Sequence, residues 1–404
     1  MNKIPTKKSG FNPNWQIKTL NEVCDKISAG VDKPNDCTTE KTEENQIPIF
    51  SNGIKNKGLC GYTKTPTITK PALTISARGT IGFACVRYEP FFPIVRLICV
   101  IPNEKLVVLE FLCYALQYII PQGEGTSVPQ LTIPNFKKIE IPIPPLDEQK
   151  RIASALSKID AYLENTIKLI EEKERFKRGI AKKLLTCKEG ENIPEARFKG
   201  FEGEWEIVKL GDITKMISGG TPNTKIKEYY NGNIVWATIT DITNSYKYLY
   251  DSEKKITELG LQNSSTKIFP INTVLYSIYG SIGECAISKV ECTTNQAILG
   301  IECSDKINYN FLYYLLSNHK NNAKKLRQFG TQPNINKKIV LNFCFKIPNI
   351  EEQEKIGGYL SLLDAEIDNL KKQKELIKEM KRGAMQKLLS GEVRLSKNAF
   401  NENI

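Results

Sequence analysis

The sequence has few or none of the residues that several common kinds of functional site require. It contains one histidine, His319, in 404 residues, which removes most histidine-dependent catalysis. We interpret His319 as a solvated surface residue near a helix end. The closest two of its eleven cysteines, Cys285 and Cys292, have six residues between them. Because zinc sites need clustered ligand pairs such as C-x-x-C, we expect reduced, mostly buried cysteines and no metal.

Long apolar runs are also missing. The longest candidates, FLCYALQYII and FFPIVRLICVI, which Arg96 interrupts, fall short of the roughly 18 residues of a membrane span. The first residues, MNKIPTKKSGFNPNW, include basic residues but no apolar core of a secretory signal. We therefore expect a cytoplasmic protein with no membrane partner.

Motifs that carry chemistry are absent as well. The sequence has no G-x-x-x-x-G-K-[ST] phosphate loop, no G-x-G-x-x-G fingerprint and no [DNS]-P-P-[YFW] methyltransferase motif. Glu253 to Lys255, with Asp251 nearby, faintly resembles a metal nuclease motif, but such triplets are common in a chain rich in Lys and Glu. We interpret the chain as a binding protein without catalytic residues, metal or cofactor of its own.

Positive charge is present in excess. The 57 Lys and Arg against 45 Asp and Glu give a net charge of +12, with a pI near 9.0. This favours a polyanionic partner such as nucleic acid, although a merely basic soluble protein remains an alternative. The length and 40% hydrophobic content are sufficient for two or three domains.

The sequence also repeats itself. Segment 141–185 aligns with segment 346–389, so that Glu-Gln, Lys-Arg-Gly and Lys-Leu-Leu recur in the same order. FNPNWQIKTLNEVCDKISAG at Phe11 matches FEGEWEIVKLGDITKMISGG at Phe201, and SARGTIG at Ser76 matches SIYGSIG at Ser277. The chain is therefore a tandem duplication of a globular block followed by a helix.

Both repeated helices show apolar residues alternately three and four positions apart, which predicts a coiled-coil seam. Thr166, Lys173 and Lys177 interrupt it. The alternative is two amphipathic helices, each packed on its own block. Some 40 residues would form a rod roughly 60 Å long, able to set the spacing of two DNA half-sites. The predicted seam residues are Ile152, Leu156, Ile159, Leu163, Ile170, Ile180 and Leu184 in the first helix and Ile356, Leu360, Leu363, Ile367, Leu370, Ile377 and Leu388 in the second.

These features carry a family resemblance. The helix entries PIPPLDEQKRIA and IPNIEEQEKIGGYL, the two KRG…KLL helix ends, IPEARFKGFEGEWEIVKLGDI at Ile193 and SGGTPNT at Ser218 resemble the specificity (S) subunit of type I restriction-modification systems over nearly the whole chain. The resemblance implies two target recognition domains that bind double-stranded DNA and two conserved spacer helices. It also implies assembly with two modification (methyltransferase) subunits and two restriction (nuclease-translocase) subunits. S-adenosylmethionine, ATP and Mg would be bound by those partners.

The expected fold class is α+β, with α/β-like blocks: two pseudo-symmetric target recognition domains separated by a two-helix antiparallel coiled coil. Strands are predicted in NIVWATITDI, TVLYSIYG and CAISKV, and helices in LEFLCYALQYI and NYNFLYYLLSNHKNNAKKLRQ. The predicted limits are 1–141 and 191–346 for the two recognition domains, 142–190 and 347–391 for the spacer helices, and 392–404 for a tail.

Loop residues with suitable chemistry are candidates for DNA contact. Arginine matches guanine, Asn and Gln match adenine, and lysine contacts phosphates. For any of them a solvated or turn-stabilising role is the alternative. Arg78 and Tyr279 occupy matched positions in a shared framework, which predicts two different half-sites and an asymmetric bipartite target. The candidates are Asn52, Lys55, Lys57 and Arg78 in the first block and Thr221, Asn223, Lys225, Lys227, Tyr229, Tyr279, Arg327, Gln328, Gln332 and Asn334 in the second.

Two other functions remain open on the sequence alone. One is the specificity part of a related system whose methylase and nuclease are fused. The other is a coiled-coil scaffold with no sequence preference. A preferred DNA site, bound with a strong salt dependence, would exclude the scaffold.

Overall fold

The computed structural model describes residues 12–120, 131–326 and 334–395. Its contacts divide the chain into two compact units: unit 1 (Met1–Ile167 with Lys372–Ile404) and unit 2 (Lys168–Lys371). Each unit therefore contains one globular block, the first part of the long helix that follows it and the last part of the other long helix. Within the described ranges no helix is long and apolar enough to cross a membrane.

The block of unit 1 consists of short strands and three helices in its described part, followed by a long helix. The central sheet is antiparallel with strand order β2-β8-β5-β6, a smaller sheet has the order β4-β3-β7, and β1 pairs with β9. In chain order the elements are β1 (Gln16–Thr19), α1 (Leu20–Val23), β2 (Cys24–Ala29), β3 (Ile47–Phe50), β4 (Leu59–Thr63), β5 (Ala72–Ser76), β6 (Ala84–Arg87), β7 (Phe92–Pro93), β8 (Leu97–Pro102), α2 (Leu109–Ile119), α3 (Ile133–Lys137), β9 (Glu140–Ile143) and the long helix α4 (Leu146–Leu185).

The block of unit 2 repeats this topology with an insertion. Its sheets have the orders β11-β18-β15-β16-β13, β14-β12-β17 and β10-β19. Strand pair β15–β16 has the register of β5–β6, and α6, β13 and α7 have no counterpart among the described elements of unit 1. The elements are β10 (Glu206–Lys209), α5 (Leu210–Ile213), β11 (Thr214–Ser218), β12 (Tyr230–Ala237), α6 (Ile239–Asn244), β13 (Tyr248–Leu249), β14 (Lys255–Ile256), α7 (Glu258–Gln262), β15 (Val274–Ser277), β16 (Cys285–Ser288), β17 (Thr293–Thr294), β18 (Ile298–Cys303), α8 (Tyr309–Lys325), α9 (Lys337–Leu341), β19 (Cys344–Ile347) and the long helix α10 (Ile350–Ser390).

The mixed α+β fold and the two related blocks confirm the predicted fold class, with one local error. The stretch NIVWATITDI is not a strand throughout, because β12 ends at Ala237 and helix α6 follows. Thr238 and Asp241 form a capping box, in which the Asp241 carboxylate accepts hydrogen bonds from the Thr238 amide at 2.8 Å and hydroxyl at 2.6 Å. This cap starts a helix where apolar alternation alone predicted strand.

Each core lies between the central sheet and a buried helix of its block. In unit 1, Phe111 and Leu116 of α2 are fully buried, and the first turns of α4 and the last turns of α10 join the same cluster. In unit 2, Phe311 and Leu316 of α8 have this role, with the first turns of α10 and the last turns of α4. Each block therefore packs against the start of one long helix and the end of the other.

The repeated glutamine attaches each long helix to its own block. In unit 1, Gln149 accepts a hydrogen bond from the Val108 amide at 2.8 Å and donates to the Leu106 and Pro144 carbonyls. Gln353 makes the matching three contacts in unit 2. Because both glutamines are buried with their amide groups paired, their replacement would leave buried polar backbone groups without partners.

The glutamate before each glutamine contacts the segment that follows the other helix. Arg394 donates two hydrogen bonds to Glu148 at 2.9 and 2.8 Å, and Arg197 donates two to Glu352 at 2.9 and 2.7 Å. Both carboxylates are buried, so these paired contacts satisfy charges that would otherwise be costly. The Glu-Gln repeat in the sequence thus marks an attachment made twice.

The predicted surface position of His319 is wrong. Its ring packs against Phe343 and Phe345, with centroid distances of 5.0 and 5.1 Å, and is half-buried. Burial lowers the pKa of His319. Sequence spacing placed it at a helix end but did not show that two aromatic residues distant in the chain cover it.

Candidate nucleic-acid interface

A glycine-containing turn joins the two strands of each central hairpin, β5 to β6 in unit 1 and β15 to β16 in unit 2. In unit 1 the amide of Gly82 donates to the Ser76 carbonyl at 3.1 Å, and in unit 2 the amide of Gly283 donates to the Ser277 carbonyl at 3.0 Å. Both glycines have a φ of +83°, a conformation that L residues rarely adopt. The shared S-x-x-G-x-I-G framework therefore forms the same turn twice.

The structure brings two of the candidates in unit 1 together. Asn52 donates from its side-chain amide to the Arg78 carbonyl at 2.8 Å, and its own carbonyl accepts the Thr80 hydroxyl at 2.9 Å. The Arg78 side chain is exposed. These contacts fix the backbone from which the Arg78 guanidinium projects into solvent, where it is able to reach a base edge or a phosphate.

Arg96 was not among the candidates but lies beside Arg78. The Ala77 amide donates to the Arg96 carbonyl at 2.9 Å, and Arg96 is exposed with a φ of +75°. Left-handed backbone is unusual for arginine, and here it ends the loop before β8. The interruption of an apolar run by a single arginine was the signal in the sequence that could have identified it.

A buried arginine, Arg87, contacts the loop that contains Lys55 and Lys57. Arg87 donates to the Lys57 carbonyl at 2.5 Å and to the Thr74 hydroxyl at 3.1 Å, and its guanidinium carbon lies 3.5 Å from the centre of the Phe50 ring. Lys55 and Lys57 are exposed, but the Lys57 ammonium pairs with Glu164 of α4 at 2.8 Å. Of the two, Lys55 is the better placed to contact a phosphate.

In unit 2 the candidates form a different set. The Thr221 hydroxyl is hydrogen-bonded to the Gln296 side chain, and Asn223 accepts from the Lys225 amide at 3.1 Å, a turn-stabilising contact. Lys225 and Lys227 are exposed and Tyr229 is half-buried. Gln296 is an exposed residue of the loop before β18 that sequence reasoning missed. It had no distinguishing sequence signal, because its contact with Thr221 joins distant segments.

Tyr279 and Asn334 are adjacent, because a β-bridge joins their backbones. The Ile335 amide also donates to the Ile278 carbonyl at 2.9 Å, as the Leu131 amide does to the Ala77 carbonyl in unit 1. Tyr279 is 38% exposed. Arg327, Gln328 and Gln332 lie outside the described residues.

The predicted seam residues lie at two kinds of contact. Ile152, Leu156, Ile356 and Leu360, near the starts of the helices, are buried in the cores of their own blocks. Leu363 also lies in the core of unit 2, Leu184 and Leu388 lie in the core of the other helix's block, and Ile159 and Ile180 pack against these cores. The other predicted seam residues are buried or half-buried along α4 and α10: Leu163, Ile170, Ile367, Leu370 and Ile377. Antiparallel pairing is visible in each unit separately. In unit 2, Lys173 pairs with Glu366 and Lys177 with Asp364; in unit 1, Asp160 pairs with Lys381, and Gln373 donates a hydrogen bond to the Tyr162 hydroxyl.

Among the residues that the structure describes, no group of His, Cys, Asp and Glu could hold a metal ion. What the fold offers instead is one scaffold, built twice, with different polar side chains at its turns: Asn52, Arg78 and Arg96 in unit 1, and Thr221, Tyr279 and Gln296 in unit 2. Such groups read base edges and bind phosphates. The arrangement defines a protein with two distinct recognition surfaces on a duplicated fold.

Known proteins are similar to this chain. Residues 12–172 and 202–379 match the family described as the type I restriction modification DNA specificity domain. The type I restriction enzyme MjaVIII specificity subunit of Methanocaldococcus jannaschii is 29% identical over 323 residues, covering 74% of this chain and 73% of that protein. The MjaIX specificity subunit of the same organism is 37% identical over 182 residues, 44% of this chain and 42% of that protein's length.

The fold agrees with a solved structure. The crystal structure of the S subunit of a type I restriction-modification system from M. genitalium matches with a TM-score of 0.62 at 19% identity, over 96% of this chain and 99% of that one. The present chain belongs to the type I restriction-modification DNA specificity family, and it carries two copies of the specificity domain.

Proposed function

We propose that this chain is the subunit that selects the DNA site of a type I restriction-modification complex, with each unit reading one half of a bipartite, asymmetric sequence. The observation that carries the proposal is the duplicated turn with different side chains, Arg78 in unit 1 and Tyr279 in unit 2, on strands of identical register. A guanidinium and a phenol offer different hydrogen-bonding groups to base edges. The two half-sites therefore differ.

The long helices are proposed to set the gap between the half-sites. Helices α4 and α10 each contribute residues to both units, so their length and pairing are common to both readers. Joining two readers in one chain makes the second binding event intramolecular, which raises the overall affinity by about 10²–10⁴ when the spacing fits. The predicted domain limits, 1–141, 142–190, 191–346, 347–391 and 392–404, remain part of this proposal.

The chemistry is proposed to belong to partner subunits. Modification subunits with S-adenosylmethionine would methylate adenine, and restriction subunits with ATP and Mg would cleave the DNA, two of each kind per specificity chain. The present chain would supply the DNA site and the helical surface on which the modification subunits dock. Exposed apolar residues on both helices, such as Phe176 at 51% and Leu376 at 65%, are available for docking.

Base-resolution methylation mapping of the host genome, with and without this gene, tests the proposed function. We expect a gapped, two-part methyladenine motif to disappear when the gene is deleted and to return when it is restored on a plasmid. A methylation pattern that is identical in both strains, while the modification subunit is expressed, would contradict the proposal.

A further inference from the structure

A polar cluster in unit 1, which we call triad 1, consists of Tyr114, Asp160 and Lys381. The hydroxyl of Tyr114, in the buried helix α2, donates to Asp160 Oδ2 on α4 at 2.8 Å. Lys381 on α10 pairs with Asp160 Oδ1 at 2.6 Å, and its ammonium lies 5.6 Å from the centre of the Tyr114 ring. One carboxylate thus connects the block to both long helices.

Unit 2 contains the same cluster, triad 2, which consists of Tyr314, Asp364 and Lys177. The Tyr314 hydroxyl of α8 donates to Asp364 Oδ2 on α10 at 2.5 Å, and Lys177 of α4 forms an ion pair with Asp364 Oδ1. The Lys177 ammonium lies 5.5 Å from the centre of the Tyr314 ring. The two helices exchange roles between the triads, because α4 gives the carboxylate in one and the lysine in the other.

The triads are built to hold their geometry. Burial, and then the hydrogen bond to Asp160, raises the pKa of Tyr114, and burial followed by the charge of Asp364 raises that of Tyr314. Both phenols therefore stay protonated and donate at neutral pH. The lysine and aspartate side chains are only 22–31% exposed, so solvent screens these ion pairs less than pairs at the surface.

Polar residues in an apolar seam specify register. Leucine and isoleucine at seam positions can exchange partners when one helix slips by a heptad, whereas a lysine that must meet one carboxylate cannot. Lys177 is such an interruption of the seam in α4. Asp160 and Lys177 are as many residues apart along α4 as Asp364 and Lys381 are along α10. Each unit, taken alone, therefore gives the same antiparallel register.

We propose that triads 1 and 2 are positioning residues that fix the register of α4 against α10 and, through it, the number of base pairs in the gap of the DNA site. The tyrosine is essential to this role, because it ties the chosen register to the block that reads DNA. The inference rests on the proposed function, since only a two-part site has a gap to fix.

The test compares Lys177→Met with wild type in the full chain assembled with its modification subunits. Methylation is measured on DNA molecules that share both half-sites and differ in gap length by single base pairs. Wild type should methylate the preferred gap more than gaps one base pair longer or shorter. We expect the ratio of these methylation rates to be lower in the variant by about fivefold or more. The bases required in the half-sites should not change. Lys381→Met should give the same result through triad 1.

Lys173→Met is the matched control. Lys173 lies one turn earlier on α4, also interrupts the seam, and pairs with α10 through Glu366 at 2.7 Å, with side chains 36% and 43% exposed. The variant Lys173→Met loses an ion pair between the helices but leaves both triads intact. Its gap preference should therefore equal that of wild type. If Lys177→Met does not fold, Tyr114→Phe removes only the hydroxyl that binds Asp160 in triad 1 and should broaden the gap preference in the same way.

The outcomes separate the inference from the function on which it rests. Triad variants that melt earlier but keep the wild-type gap preference would show a structural role alone and overturn the inference. An equal broadening in Lys173→Met would also overturn it, because any helix ion pair would then suffice. If wild type itself shows no dependence on gap length, the proposed function fails and the inference with it.

Discussion

At the scale of single residues, the two units differ in the side chains that their common framework presents. The strand registers and the glycine turns are the same, yet Arg78 stands where unit 2 has Tyr279, and Arg96 lies beside Arg78. The backbone of this framework is the same in both units, whereas its exposed side chains differ. The residues that determine the fold are therefore not the exposed residues that are proposed to contact DNA. The exposed side chains of this framework can therefore change with little effect on stability.

Replacing Arg78 by alanine should weaken recognition of one half-site only. A bidentate contact of arginine with a base is worth about 1–3 kcal/mol, so methylation of the cognate site should fall about tenfold or more, with tolerance of other bases at one position. Sequencing of methylated sites from a randomised library measures this. Lys70→Ala is the control, because Lys70 is exposed just before the opposite end of β5. Equal losses at both half-sites would instead assign Arg78 a structural role.

Lys247 is a buried lysine of unit 2. Its ammonium donates to the Tyr314 hydroxyl at 2.9 Å and to the Ser361 hydroxyl at 2.6 Å, and the residue is 6% exposed. Burial is the main cause that lowers its pKa from 10.5 to about 7; Lys177 and Lys289 lower it further, and Asp364 opposes them. The folded chain thus binds fewer protons at Lys247 than the unfolded chain between pH 7 and 10.5.

Stability from this site should accordingly rise with pH across that window and be lowest below pH 7. Lys247→Met removes the titrating group, so we expect it to melt at a higher temperature than wild type near pH 6, with a difference that shrinks towards pH 10. Thermal unfolding at several pH values measures this, and exposed Lys254→Met is the control. A difference that does not depend on pH would show that Lys247 keeps its proton in the folded protein.

At the scale of elements, the sequence predicted the helices well and their partners poorly. Proline before each long helix and the apolar spacing predicted two long helices, which the structure has at Leu146–Leu185 and Ile350–Ser390. The spacing also left Lys177 as an unexplained interruption, because its partner Asp364 lies 187 residues away on α10 and the Tyr314 ring lies on α8. Periodicity reports one face of a helix, not the element that covers it.

Lengthening both long helices by one heptad should lengthen the recognised gap. Seven residues inserted after Ile167 and seven after Lys371, where the chain passes between the units, add about 10 Å of helix. This corresponds to about three base pairs of DNA. The same DNA gap series gives the readout. A variant in which residues 168–174 are exchanged for another heptad of equal length is the control, and an unchanged gap in the lengthened variant would contradict the ruler.

At the scale of the whole molecule, the repeat in the sequence predicted two related blocks but not the composition of the units. Unit 1 combines its own block with residues from Lys372 onwards, because the last turns of α10 and Arg394 pack against it. Of the candidate contact residues, Asn52 and Arg78 lie together, whereas Gln296 was found through its side-chain contact with Thr221, a residue of a distant segment. Sequence patterns report residue types and local periods, and long-range packing decides the rest.

The measurement that tests the central claim most directly is a selection of bound sites from random DNA by the purified chain with its modification subunits. The account predicts two different short sequences separated by a gap of fixed length and indifferent composition, with binding that weakens steeply as salt rises. A single continuous motif, a palindrome, or binding without any preferred sequence would contradict the claim that two distinct readers act on one duplicated scaffold.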